Sequence, residues 1–271
     1  MTRDGWLAAH PYLQPVADVH ALVEAAAAEA FVPVASIPNW EDYADDFRAG
    51  VPLLHSSNAA IDLGRLEDAV LSLIQTLTSS PLPGTLAEQC QILEAELRGV
   101  RAAPSVAEAG VPTWDSFSPT NPGLFRYVVW VVLVRYLSPV VSAFDGWRNE
   151  EHWLRNYCPT CGEAPAMAQL VGKDPGRLRK LSCGRCKTRW RYRRTGCPFC
   201  DAQDEHRLAV VAIEGEGGLR IDYCETCRGY LKTYDGEGSE SLMLADWTSI
   251  HLDLIARNRG LKRLAASLYD L

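Results

Sequence analysis

The sequence predicts a multidomain chain of α plus small-β class: an N-terminal helical bundle, two tandem four-cysteine modules and a C-terminal helix. Three observations predict it. The first 155 residues carry apolar positions at helical spacing, broken by proline-containing stretches. Eight of the nine cysteines lie between 158 and 227, in four Cys-x-x-Cys pairs among glycines and short β-like runs. The tail from 241 onward is amphipathic at helical period. The boundaries read from these changes of character are 1–155, 156–195, 196–240 and 241–271.

Within the first region, VADVHALVEAAAAEAF (16–31) is alanine-rich with a helix-compatible apolar face. IDLGRLEDAVLSLIQTLTSS (61–80) sets Leu63, Leu66, Val70, Leu73, Ile74 and Leu77 on one stripe. TLAEQCQILEAELRGV (85–100) opens on a capping box, Thr85 with Glu88, and closes near Gly99. A central helix is expected over 124–137, and loops over 31–40, 81–84 and 111–122. Cys90, beside Ile92 and Leu93, reads as a core residue of its helix.

Charge separates the regions. Residues 1–155 hold nine Arg, no Lys and nineteen acids, whereas 173–194 hold ten basic residues against one acid, Asp174. An overall charge of −7 argues against bulk nucleic-acid binding, and the asymmetry points to modules with different surfaces. The start of the chain is interrupted by His10, Pro11, Asp18 and His20, unlike the apolar core of a signal peptide. The most apolar stretch, LFRYVVWVVLVRYLSPVVSAF (124–144), carries Arg126, Arg135 and Pro139 and reads as a buried core helix rather than a membrane span. The expected compartment is cytoplasmic, where thiols stay reduced and clustered cysteines signal metal or redox chemistry.

The cysteines form an internal repeat. YCPTCGEAPAMAQL and GCPFCDAQDEHRLAVV begin equivalent units 39 residues apart, and GRLRKLSCGRCK and GGLRIDYCETCRGY end them. The spacings are Cys158-x2-Cys161, x21, Cys183-x2-Cys186, then Cys197-x2-Cys200, x23, Cys224-x2-Cys227. Two intervening residues let both sulfurs of a pair converge on one tetrahedral ion, and a gap of 21–23 residues is the length of a returning hairpin. Two metal ions, iron or zinc, are therefore expected, one on Cys158, Cys161, Cys183 and Cys186 and one on Cys197, Cys200, Cys224 and Cys227. An interleaved pairing of 158/161 with 197/200 is also compatible with the spacing; the repeat favours the sequential one. The CPTCG and CPFCD pairs look like rubredoxin and zinc-ribbon knuckles alike. A dithiol oxidoreductase would need a single pair at a helix start. Four sulfurs per ion leave no open position for a substrate, so no enzyme is expected and no catalytic residue is assigned.

KTRWRYRRTG (187–196) alternates basic and aromatic residues. Arg189, Arg191, Arg193 and Arg194 are candidates for contact with a partner, while Trp190 and Tyr192 on one face would suit base stacking in a nucleic-acid reading. A solvated strand face explains the pattern equally well. His152, His206 and His251 are scattered and no cluster requires them, and Asp246 and Asp253 read as a solvated face of the tail helix.

YCPTCGEAP, LSCGRCKTRWRYRRTGCPFC, YCETCRGYLKTY and ADWTSIHLDLIA together resemble the formate dehydrogenase accessory proteins, the FdhE family. The likeness is strong over 157–256 and extends more weakly to PGLFRYVVWVVLVRYL in the helical region, and all eight paired cysteines match the family's pattern. The resemblance implies a helical domain followed by two rubredoxin-like modules. It also implies a cytoplasmic, non-catalytic factor for assembly of respiratory formate dehydrogenase, acting on the molybdenum- or tungsten-containing catalytic subunit, with iron as a proposed metal. A zinc-ribbon nucleic-acid-binding protein and a rubredoxin-like electron-transfer protein are the alternatives.

Overall fold

The structure, a computed structural model, describes residues 1–101, 117–173, 176–216 and 218–269. Eight α-helices and six β-strands are present among them: α1 (Arg3–Ala9), α2 (Gln14–Glu29), α3 (Trp40–Ala49), α4 (Leu66–Thr78), α5 (Gly84–Arg101), α6 (Pro122–Trp147), α7 (Glu240–Met243) and α8 (Ile250–Asn258), with β1 (Pro165–Val171), β2 (Leu178–Cys183), β3 (Arg189–Tyr192), β4 (Leu208–Ala212), β5 (Leu219–Cys224) and β6 (Tyr230–Asp235). Contacts gather the chain into two compact units, one of Pro15–Pro38 with Ile61–Phe144, the other of Met1–Gln14, Asn39–Ala60 and Asp145–Leu271.

In the first unit, the stripe on α4 is buried as its period requires: Leu66, Val70, Leu73, Ile74 and Leu77 are inside, with Ala69 between them. Each such side chain contributes about 1.5–3 kcal/mol on leaving water. Cys90, Leu93 and Leu97 of α5 join them, and burial pushes the Cys90 thiol up to about 11, which keeps it protonated. α5 begins at Gly84, so Thr85 lies inside its first turn and is not the cap. The loop expected over 111–122 falls partly on residues outside the described ones. α6 runs past the expected end near 137, carrying Pro139 inside it and continuing to Trp147. It is long and apolar enough to cross a membrane, but Val128, Trp130, Val132, Leu133, Tyr136, Leu137, Val140 and Phe144 are buried within the protein.

The second unit is built on one six-stranded sheet, ordered β3-β2-β1-β6-β5-β4. Each cysteine segment supplies a three-stranded antiparallel meander. The meanders join where β1 and β6 pair in parallel, from Met167 opposite Lys232 to Leu170 opposite Asp235. These two central strands are buried at nearly every position, as a parallel pair covered on both faces should be, while the edge strand β3 alternates. α3 is fastened by its caps: the Asn39 side chain accepts from the Glu41 N–H at 3.2 Å, and Gly50 closes the helix in the left-handed region at φ 87°. Its Phe47 stacks on Trp153 at 5.2 Å between ring centroids.

The tail is helical only as far as Asn258. After it, Lys262 forms a parallel bridge with Gly229. Asp246 and Asp253, expected on a solvated face, are instead turned onto β6. There the fully buried Lys232 ammonium lies 2.6 Å from Asp246 Oδ1 and 2.8 Å from Asp253 Oδ2. Arg263 donates to both Asp246 oxygens at 2.8 Å, and Tyr230 donates to Asp253 at 2.7 Å. The physical reason is neutralisation: two carboxylates and two cations can leave water together where any one of them could not.

Removing one member should therefore expose the cost of burying the rest. Lys232→Ala is expected to lower the stability of this unit by about 3–5 kcal/mol in urea denaturation. Burial alone would raise the Asp246 carboxyl, but Lys232 and Arg263 overcome it and hold the group well below its usual value of 3.8. Because the folded value is the lower one, this stabilisation is fully present above pH 3.8 and declines as the pH falls further. Asp246→Asn should flatten the acid limb of a stability–pH profile, and an unchanged limb would contradict the assignment.

Candidate metal centres

All four Cys-x-x-Cys pairs fold into the same turn. In each, the first cysteine N–H donates to the carbonyl five residues on: Cys158 to Glu163, Cys183 to Thr188, Cys197 to Ala202 and Cys224 to Gly229, each at 2.9 Å. The residue after each second cysteine is left-handed: Gly162 (φ 77°), Lys187 (φ 63°), Asp201 (φ 58°) and Arg228 (φ 61°). The turn curls each pair so that both sulfurs point to one side. At Gly162 the conformation has company: an added Cβ would stand 2.9 Å from His55 Cε1. That neighbour belongs to the segment whose Leu53 and Leu54 N–H groups donate to the Pro159 and Thr160 carbonyls at 2.8 Å, bracing the first turn from outside.

The turns meet two by two, in sequential order. Cys158, Cys161, Cys183 and Cys186 form one cluster and Cys197, Cys200, Cys224 and Cys227 the other, with all sulfurs of a cluster within 4.8 Å of one another. β1 and β2 return the second turn to the first, and β4 and β5 return the fourth to the third. Metal–sulfur bonds of about 2.3 Å in a tetrahedron separate the sulfurs by roughly 3.8 Å. In the second cluster Cys197 and Cys227 are 3.7 Å apart and Cys200 and Cys224 3.8 Å. In the first the corresponding separations are 3.4 Å (Cys158 to Cys186) and 3.5 Å (Cys161 to Cys183). Both donor sets fit a four-thiolate ion, zinc(II) or iron, and either would be held by sulfur alone.

The clusters differ in exposure. Every cysteine of the first is buried, whereas Cys200 is exposed and Cys227 half-buried in the second. A cavity of about 330 Å³ opens beside the second, with Cys197, Cys224, Phe199, Arg179 and Arg220 in its wall. Protonation is uneven as well. Burial holds the Cys158 thiol well up; in Cys186 burial is overcome by the three neighbouring thiols and the Thr188 hydroxyl, which bring it well down. In the second cluster burial pushes Cys197 up to about 12. Cys224 falls to about 7 because the Cys227 and Thr226 backbone N–H groups and the neighbouring thiols outweigh burial. In each cluster one sulfur is thus biased toward the thiolate, the form that binds a metal ion.

The comparisons with known proteins bear on these turns. A family profile described as "FdhE, central domain" matches residues 157–194, the span of the first cluster and β1 to β3. A protein FdhE homolog of Aquifex aeolicus is 32% identical over 133 residues, 47% of this chain and 47% of that one. Homologs from Shewanella baltica (27% over 199 residues, 69% and 62% of the two chains) and Pseudomonas aeruginosa (33% over 125 residues, 42% and 39%) are similar too. The chain resembles the FdhE proteins. The matched stretches span about two-fifths to three-fifths of those relatives' lengths. The crystal structure of the FdhE protein from Pseudomonas aeruginosa shares the fold at a TM-score of 0.59 and 23% identity, over 95% of this chain and 88% of that FdhE chain.

The arginine-rich bridge between the clusters is largely engaged within the chain. Arg191 pairs with Glu151 at 2.6 Å, Arg193 pairs with Asp201, and Arg189 donates to the Gln169 side chain. Arg191 and Arg193 stay about one-third exposed, at 34% and 35%. Trp190 and Tyr192 point into the core, where the Trp190 Nε1–H donates to the Arg155 carbonyl at 3.0 Å, so neither offers a face on which a base could stack. One further cluster had no sequence signal: His10, Glu216 and His251 bring ligand atoms within 4.8 Å of one another from three distant segments.

The exposure difference makes the thiolate sites distinguishable. With cobalt(II) in both, a chelator is expected to remove the thiolate-to-metal absorption in two phases, the faster belonging to the second cluster. Cys200→Ser should abolish the fast phase and Cys158→Ser the slow one; a single phase unaffected by either would refute the ranking.

Proposed function

We propose that this protein is an accessory factor for formate dehydrogenase, acting in the cytoplasm on the enzyme's catalytic subunit during assembly or maturation. Each four-cysteine cluster holds one iron or zinc ion through Cys158, Cys161, Cys183 and Cys186, and through Cys197, Cys200, Cys224 and Cys227. The observation that carries the reading is the FdhE central-domain match over 157–194, which falls on the segment forming the first thiol cluster. With four sulfurs per ion these sites have no place for a substrate, which favours a binding role over catalysis. In this reading the modules 156–195 and 196–240 carry the ions, 1–155 is the helical domain and 241–271 the tail. Arg189, Arg191, Arg193 and Arg194 at the sheet edge are the proposed contact with the client.

Capture of the tagged chain from formate-grown anaerobic cells, with elemental analysis of the same sample, is expected to enrich the catalytic subunit along with thiolate-bound metal. Failure to enrich it even after cross-linking would overturn the reading. Replacing Arg191 and Arg193 by Glu should weaken capture most at low salt, where surface charge is least screened. Undiminished capture would remove those arginines from the interface.

One observation favours a second reading. Exposure of Cys200 gives the second cluster an outlet to solvent that the first lacks, as an electron carrier would need if the ion were iron. Reversible one-electron reduction of the iron-loaded chain would support it, and a chain that takes only zinc in cells would exclude it.

A further inference from the structure

We propose that His10, Glu216 and His251 form a third metal site, separate from the thiolate clusters, for a borderline divalent cation such as zinc(II) or iron(II). The three come from segments remote in sequence. His10 follows α1, Glu216 lies in the turn between β4 and β5, and His251 stands in the first turn of α8. His10 Nε2 is 3.3 Å from Glu216 Oε2 and His251 Nε2 is 2.7 Å from the same oxygen. Bonds of about 2.0–2.2 Å to nitrogen and oxygen place tetrahedral donors roughly 3.3–3.5 Å apart. The first pair already has that spacing, and a small rotation of the carboxylate supplies the rest.

The hydrogen bonding around His10 points the same way. Its Nδ1 lies 2.9 Å from the Trp6 carbonyl, which can only accept, so Nδ1 carries the hydrogen. Nε2, the other ring nitrogen, then faces the Glu216 carboxylate. A cation has to lie between the two groups at this distance, either a proton or a metal ion. A backbone carbonyl fixing the far nitrogen is also the arrangement that orients a metal-bound imidazole. His251 Nδ1 is buried with no hydrogen-bond partner, and its ring is held by Glu216, by the stacked His10 ring at 5.3 Å and by the edge-on Tyr12 ring.

The surroundings suit a cation. The three side chains are only 7–14% exposed, Trp6 stacks on His10 at 3.9 Å, and Tyr12 meets both imidazoles edge-on. One carboxylate and two neutral imidazoles give the group a charge of −1, which a divalent ion converts to +1 in a largely desolvated place. Two nitrogens and one carboxylate oxygen leave a fourth position open, unlike the closed sulfur sites. The competing occupant is a proton shared between His10 and Glu216.

The test uses the full-length chain with zinc in both thiolate clusters and cobalt(II) as the probe. One additional equivalent of cobalt is expected, showing weak visible d–d absorption and no thiolate-to-cobalt charge transfer. His10→Ala and His251→Ala should abolish that equivalent and leave the thiolate-bound zinc unchanged. Glu216→Gln keeps the size of the side chain, so it avoids a folding defect, and should weaken uptake at least tenfold. A wild-type chain that takes up no cobalt, or only cobalt with thiolate charge transfer, overturns the site, as does a Glu216→Gln variant that binds like the wild type. Because cobalt uptake does not involve formate dehydrogenase, either result leaves the accessory role to be judged on its own capture experiment.

Discussion

Four residue pairs between β1 and β6 hold the two cysteine modules together, from Met167 with Lys232 to Leu170 with Asp235. Without them each module would be a three-stranded meander with one cluster, too small to bury a core of its own. With them, the strands that carry the most buried side chains become the centre of a single sheet. Gln169 shows how the join is reinforced. Its amide nitrogen donates to the Gly236 carbonyl at 2.6 Å and to Glu240 at 2.9 Å, and its oxygen accepts from Arg189. One buried side chain thereby ties the first module to the end of the second, at the first residue of α7.

The strand order puts β3 and β4 at opposite edges, although only residues 193–207 separate them in sequence. Five inter-strand steps amount to about 24 Å, well within the reach of that segment but enough to carry it across the sheet. Arg179, buried on β2, donates to the Gly196 carbonyl at 2.9 Å, and Tyr192 donates to the Cys197 carbonyl at 3.3 Å. These contacts pin the crossing where the third cysteine turn begins. The basic bridge is thus an internal strap as well as a surface, which explains why most of its charges already have partners.

Much of this was legible in the chain. The four cysteine pairs are local motifs repeated at one spacing, and the same local turn repeats in space. The helices α2, α4, α5 and α6 announce themselves by period. Features that depend on distant partners were not legible. Nothing in ADWTSIHLDLIA says that Asp246 and Asp253 face a buried lysine, because Lys232 looks like any strand lysine until its neighbours are known. Alternation in RWRY marks two faces but cannot say that the aromatic one is inward. The helix expected over 124–137 continues through Pro139 to Trp147, since tertiary packing outweighs the loss of one hydrogen bond. His10, Glu216 and His251 meet only because α1, the β4–β5 turn and α8 converge.

The ion network at Lys232 has a consequence for how the tail is held in different solutions. Mobile ions weaken attraction between charges that water surrounds, and at physiological ionic strength they do so beyond about 8 Å. They cannot enter the space around Lys232, whose side chain has no exposed surface. The contact between Arg191 and the largely exposed Glu151 is open to them. Raising the ionic strength therefore loosens the outer edge of the sheet while leaving the tail fastened at its centre, so that salt separates the charges that shape the surface from those that maintain the fold.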